Sequence, residues 1–247
     1  MADTGSGSQS GSGSINCFTC QVRDRTEWCV LSDAEIELLN KGRITKEYLP
    51  GEVIFHEGDP CRGVFCMETG MVGVRKTDAD GNSVLLYLVT PGDTLGYRAL
   101  LAGEDYQASA EALEPTRICV IDSPTVRSLL EHNPALGLRY LKRVSRSLGS
   151  AEEKILHNAT LSVRARFAHL LMVLLDKYGH KNSEGPTEFE LPLSRHDLAA
   201  MIGTTPESMS RTIKKMESDG VAKFAGRTVH IPVLESLIME FEPETFL

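Results

Sequence analysis

The first patterned stretch of the chain is "LSDAEIELLNKG", where apolar residues recur at helical spacing between a serine and a glycine. It predicts a short helix capped by Ser32, with Glu35 at the capping-box position and Gly42 as its stop. From Tyr48 to about Ser123 the period shortens to brief apolar or alternating runs, "GEVIFHEGD", "GVFCMETGMVGVRKT", "SVLLYLVTPGD" and "RICVID". Gly51, Gly58, Gly70, Gly92 and Gly96 punctuate these runs and "DADGN" reads as a hairpin turn. Evenly spaced short strands with glycine corners predict a compact antiparallel roll or barrel. After Pro134 the pattern is helical, and Leu141, Val144, Leu148, Ala151 and Ile155 follow at spacings of 3, 4, 3 and 4. A seam that narrow, with "KR", "SR" and "EEK" beside it, predicts a helix packing against a parallel copy of itself.

A second amphipathic helix, "LSVRARFAHLLMVLLDKYG", opens the remaining stretch, and "VAKFAGRTVHI" alternates as a hairpin around Ala225 and Gly226. Between them lies "SRHDLAAMIGTTPESMSRTIKKMESDG". It predicts one helix from about Ser194 to Ile202, a turn at Gly203 and a second helix from about Pro206. Leu198, Ala199, Ile202, Met209 and Ile213 supply the contacts between the pair, the signature of a helix-turn-helix. The second helix then presents Glu207, Ser210, Arg211 and Lys214 along one side. Arginine can donate twice to guanine O6 and N7, and glutamate can accept from cytosine N4. Lys214, Lys215, Lys223 and Arg227 are placed for phosphates, which position a protein on DNA without reading sequence.

Composition narrows the class but not the function. The 247 residues are 41% apolar and 24% charged, ordinary for a globular protein. No apolar run is long enough to cross a bilayer and the start is not a signal peptide, so a cytoplasmic protein with no membrane partner is expected. A net charge of -8 argues against non-specific wrapping of nucleic acid but allows a locally basic surface. Residues 1–16, rich in glycine and serine, are expected to be a disordered tail.

Charge and pattern leave the cysteines unexplained. "CFTCQVRDRTEWC" holds three of the six within residues 17–29. In a reducing compartment such a cluster points to metal or redox chemistry rather than disulfides. Spacing alone leaves iron–sulfur and zinc equally open. Arg23, Asp24, Arg25, Thr26 and Glu27 make the intervening loop polar, and it is expected to be exposed. On pattern alone Cys119, in an alternating strand, reads as a small core residue.

A glycine-punctuated roll, a seam helix and a winged helix-turn-helix, in that order, resemble the CRP/FNR family of bacterial transcription regulators. The resemblance spans essentially everything after residue 16, and its most specific pieces are "PGEVIFHEGD", "METGMVGV", "PGDTLG" and "TPESMSRTIKKMESDG". It implies an α+β fold: a cyclic-nucleotide-binding-like β-roll with the cysteine segment (17–133), a dimerisation helix (134–160) and a winged helix-turn-helix DNA-binding domain (161–247). Within the family the cysteines resemble the FNR branch, which senses oxygen through an iron–sulfur cluster. That likeness implies a [4Fe–4S] cluster, converting to [2Fe–2S] in oxygen, on Cys17, Cys20, Cys29 and Cys119, the last by the match of "ALEPTRICVI" to the branch's late strand. It also implies TTGAT-type half-sites read by Glu207-Ser208-Met209-Ser210-Arg211, a homodimer closing on promoter DNA, and RNA polymerase as a partner. Two departures stand out: eight residues separate Cys20 from Cys29, more than in the branch's prototype, and Ala151 takes a seam position that is acidic there, with Glu152 and Glu153 alongside. Cys61 and Cys66 match no ligand position.

Rival functions find less support. A cyclic-nucleotide pocket on this scaffold needs a glutamate where Tyr97 stands and an Arg-Ser pair that "YQASAEA" lacks. His56 and His157 lie in no convincing haem motif, and no nucleophile–base pair supports catalysis.

Overall fold

The computed structural model describes residues 16–81, 83–178, 187–191 and 193–241. The tail expected over residues 1–16 lies, but for Asn16, outside them, as does Asn82 of the expected hairpin turn. The chain enters through three short 3-10 turns, Cys17–Thr19, Arg23–Arg25 and Glu27–Val30. Helix α1 (Asp33–Lys41) follows, and its capping box forms as the sequence predicts: the Ser32 amide donates to Glu35 at 2.8 Å.

Strands β1 (Arg43–Tyr48), β2 (Val53–Phe55), β3 (Gly63–Thr69), β4 (Val72–Thr77), β5 (Ser83–Val89) and β6 (Thr94–Leu95) lead to helix α2 (Tyr97–Ala102). Strands β7 (Ser109–Ala112) and β8 (Thr116–Asp122) complete the roll, two antiparallel sheets ordered β1-β8-β3-β6 and β2-β7-β4-β5. Gly96 turns β6 into α2 at φ 78, and a Cβ there would meet the Gly63 carbonyl oxygen at 2.8 Å. The period-2 alternation of β3 and β8 sorts their side chains to two sides. Phe65, Met67 and Ile118 fill the roll with Phe55, Val72 and Tyr106. Val64, Cys66, Cys119 and Ile121 face outward into a second cluster with Cys17, Trp28 and Leu39. Cys66 and Cys119 thereby sit directly opposite one another across the strand pair.

Helix α3 (Ser123–His132), whose first turn is capped by Asp122, precedes α4 (Pro134–Thr160). At 27 residues α4 is about 40 Å long. Helix α5 (Val163–Tyr178), strand β9 (Thr187–Glu190), helices α6 (Arg195–Met201) and α7 (Pro206–Ser218), strands β10 (Lys223–Ala225) and β11 (Thr228–Ile231) and helix α8 (Leu234–Ile238) form the C-terminal part. The expected hairpin is β10–β11, and β9 joins it as a third strand the alternation did not announce. The core of this part extends to Met71, Leu85 and Leu88 of the roll. Arg75 of β4 bridges to Asp197 of α6 at 2.7 Å and to Glu111 at 2.9 Å, so the C-terminal part is docked on the roll by burial and charge together.

Candidate functional site

Two sites emerge, a buried one made of thiols and an exposed one on α7. The buried one is a cavity of about 30 Å³, room for a water or two. Its wall holds Cys17, Cys20, Cys66 and Cys119 with Arg23, Arg43 and Glu68. Asn40 of α1 holds the first turn by accepting from the Cys17 amide at 2.9 Å, and Arg23 donates to the Cys17 carbonyl at 3.2 Å. The Cys119 thiol donates to Glu68 at 2.8 Å and accepts from Arg43 at 3.3 Å. Arg117 lies 3.2 Å from the other Glu68 oxygen without hydrogen-bond alignment, so that buried oxygen has no hydrogen-bond partner.

Burial dominates the chemistry of these thiols. It pushes Cys119 up to about 12, helped by the neighbouring Glu68 carboxylate, and raises Cys17 against the pull of Arg43. Cys66, fully enclosed, is raised as well, although the Trp28 indole N–H donates to its sulfur at 2.9 Å. All three are therefore protonated at neutral pH and would release protons to bind a metal.

Of the four thiols the resemblance singles out, the structure brings Cys17, Cys20 and Cys119 to one wall. Cys29, half-buried in the third turn, is not part of that wall, whereas Cys66 is. As donors the residues fit an iron–sulfur cluster in kind, with soft sulfurs of Cys17, Cys20 and Cys119 on one wall. They do not form a closed four-thiol cage, and among the described residues no three His, Cys, Asp or Glu side chains are gathered closely enough to hold a metal ion.

The expectation of an exposed loop between Cys20 and Cys29 is corrected. Asp24 and Arg25 are exposed, but Thr26 is 1% and Glu27 4% exposed. The reason is α4, which lies against the third turn. Arg139 donates to the Thr26 carbonyl at 3.3 Å, Arg143 pairs with Glu27, and the Trp28 ring meets Tyr140 edge-on at 5.9 Å. Arg143 and Glu68 carry no signal in the sequence, Glu27 is expected there in solvent, and Cys66 matches no ligand position. Glu27 and Arg143 are 116 positions apart, and no local pattern marks them.

The other side of α4 carries the seam. Leu141 (60%), Leu148 (60%) and Ile155 (70%) stand exposed, with Val144 and Ala151 between them. Helix α7 is built for exposure too. Thr205 caps it, Pro206 takes its first position, and Met209, Ile213 and Met216 are buried. Glu207, Arg211 and Lys214 are left exposed and Ser210 half-exposed on the side away from that core. The Glu207 carboxyl is held below its usual range by its own backbone N–H, the Thr205 hydroxyl and Arg211. Gly203, at φ 65, makes the turn between α6 and α7. Lys215, Lys223 and Arg227 are exposed nearby in sequence.

The rival sites look different. Tyr97 is buried, its hydroxyl 3.1 Å from Ser147 and its ring under the Arg143 guanidinium. His56 lies beyond β2, and His157 on α4 packs edge-on to His169 at 4.8 Å; neither lines the thiol cavity.

Comparison with known proteins gives these sites a context. Residues 45–133 match the cyclic nucleotide-binding domain family and residues 165–239 the Crp-like helix-turn-helix domain family. Transcriptional activator protein FnrL of Cereibacter sphaeroides is 26% identical over 85% of both chains. The anaerobic regulatory protein of Haemophilus influenzae is 25% identical over 96% of this chain and 92% of its own. Among solved structures, FixK2 from Bradyrhizobium japonicum covers 79% of this chain and 96% of its own with a TM-score of 0.70 at 23% identity. A CRP/FNR-family regulator from Thermus thermophilus covers 81% and 98% with a TM-score of 0.66 at 25% identity. These relatives are regulators, not enzymes. With a cyclic-nucleotide-binding roll and a Crp-like helix-turn-helix matched in order on one chain, the protein belongs to the CRP/FNR family of DNA-binding transcriptional regulators.

Proposed function

We propose that the protein is an oxygen-responsive regulator whose sensor is an iron–sulfur cluster held by Cys17, Cys20, Cys29 and Cys119. The observation that carries this reading is that Cys119, about a hundred positions downstream, shares one cavity wall with Cys17 and Cys20. The names of the relatives, an anaerobic regulatory protein and FnrL, support the same direction. Bound there as [4Fe–4S], convertible to [2Fe–2S], the cluster would supply the oxygen-reactive chemistry.

The chain's own residues do the rest. Arg43 and Arg23, beside the thiols, favour their ionised forms and offset part of the burial that keeps them protonated. The seam of Leu141, Val144, Leu148, Ala151 and Ile155 pairs two copies in parallel, setting two α7 helices one DNA turn apart. Arg211 and Glu207 read bases of a TTGAT-like half-site, Ser210 adds a base-edge or phosphate hydrogen bond, and Lys214 holds the backbone. In this reading residues 17–133 sense, 134–160 dimerise and 161–247 bind promoter DNA, with RNA polymerase the partner that makes binding matter. A cytoplasmic location goes with that role; among the described residues no helix is long and apolar enough to cross a membrane.

The test is iron, zinc and acid-labile sulfide content with a visible spectrum, on protein purified without oxygen and then aired. About four irons and four sulfides per chain, with absorbance that bleaches in air, are expected. Cys29→Ala should lose the iron and Cys66→Ala keep it. Iron lost on Cys66→Ala alone would move the fourth ligand to Cys66, and one zinc in place of iron would end the oxygen-sensor reading.

A further inference from the structure

We propose that Glu27 is a positioning residue that ties the cysteine segment to the dimer seam through Arg143. The inference rests on the reading of Cys17–Cys29 as the sensing segment and of α4 as the dimer helix. It adds the physical link between them.

The third turn of the segment has two sides. Thr26 and Trp28 line the thiol cavity, while Glu27 between them turns to α4. A buried carboxylate is costly unless it is paired and hydrogen-bonded. Glu27 meets both needs, accepting from the Thr94 hydroxyl at 2.7 Å and from the Arg143 guanidinium. Thr26 is locked in place beside it. Its hydroxyl donates to the Arg23 carbonyl at 2.7 Å and accepts from the Trp28 amide at 3.2 Å, while its carbonyl takes the Arg139 contact. A shift of any cavity-lining residue of this turn must therefore carry Glu27 with it.

On α4 the arrangement is equally two-sided. Arg139, Tyr140, Arg143 and Ser147 meet the segment and α2, whereas Leu141, Val144 and Leu148 face outward. Arg143 is adjacent to Val144 of the seam, so a turn of the helix that follows Arg143 turns the seam by the same angle. Arg143 also has a second, weaker anchor: Asp93 at 3.3 Å, half-exposed, with the Tyr97 ring 5.8 Å away. With Glu27 in place the guanidinium is held from the cysteine side; with Glu27 withdrawn it is left to Asp93. The structure holds both contacts at once; loss of the Glu27 contact would give the second of the discrete arrangements that a coupling between distant sites needs.

The test uses Glu27→Gln, which keeps the shape and the acceptor for Thr94 but removes the charge, Arg143→Gln, and the double variant. All are full-length proteins reconstituted without oxygen, with circular dichroism as the check on folding. Iron and sulfide are measured on the same samples whose dimer dissociation constant is read by sedimentation, before and after air. The expected result is wild-type iron in Glu27→Gln with a dimer constant about tenfold weaker, within the usual range of site-to-site coupling. The effect of air on that constant should shrink, and the double variant should be no weaker than either single one. An unchanged dimer constant at full iron overturns the relay. So does loss of iron in Glu27→Gln, which would assign the carboxylate to the thiol site itself. If the wild type holds no iron, the cluster reading fails on its own, and the dimer constants of the same variants still decide the relay.

Discussion

The thiol cavity and the recognition helix are opposite ways of making a site. Glu207, Ser210, Arg211 and Lys214 fall within one helix of 13 residues, positioned by a cap and a proline inside the same stretch and left in solvent. The cavity draws on the N-terminal turns, α1, β1, β3 and β8, and its wall residues Cys66, Glu68, Cys119 and Ile121 from β3 and β8 are buried. A local, exposed site can change one side chain without disturbing the fold. A site assembled from distant segments cannot, because its wall residues are also core. A change at the thiol wall would therefore be felt through packing, whereas a change confined to the exposed side of α7 would leave its buried residues Met209, Ile213 and Met216 in place.

Three substitutions break or sharpen that contrast, in falling order of effect. Trp28→Ala, at the junction of cavity, Cys66 and Tyr140, should cost about 3–5 kcal/mol of stability, as large-to-small changes in cores do. A denaturant midpoint equal to wild type would show that the cysteine face is not core at all.

Asp197→Asn comes next. It keeps the cap on Ser194 and leaves Arg75 with Glu111 as its remaining charged partner, so it should cost about 1.5–3 kcal/mol, the worth of one hydrogen bond between charged groups. Burial raises the Asp197 carboxyl, yet Arg75 and Ser194 together outweigh it and hold it below its usual range. The pair's contribution is then complete above the unfolded value of about 4 and fades as pH falls through the lower folded value. Urea unfolding of wild type and variant should differ at pH 7 and converge in acid. A constant gap would assign the effect to something other than this carboxylate. One shared transition, splitting in two on Asp197→Asn, would further show that the roll and the DNA-binding part are coupled through this contact.

Arg211→Ala should be the mildest to the fold and the most specific in effect. It should lower discrimination at one base pair of the half-site by about 1–3 kcal/mol, read by fluorescence anisotropy across single-base variants. Iron content and unfolding midpoint should not move. A uniform loss of affinity for every sequence would instead make Arg211 a phosphate contact.

The sequence by itself determined what depends on neighbours along the chain. The Ser32–Glu35 box, the Gly203 turn, the cap and proline of α7, the seam spacing of α4 and the antiparallel character of the roll follow from spacings of four residues or fewer, or from glycine at fixed corners. Only the tertiary structure decided that Thr26 and Glu27, polar and by pattern fit for solvent, are buried, because their partners Arg139 and Arg143 lie more than a hundred positions away. The same holds for Cys66. Its place in an apolar run reads as packing, and only the pairing of β3 with β8 sets it opposite Cys119 on the cavity wall while Cys29 stays off it. The physical reason is one of range. Capping, turns and periodicity act within a few residues and leave a local mark, whereas burial of a charge or a thiol is settled by whichever surface the fold brings against it.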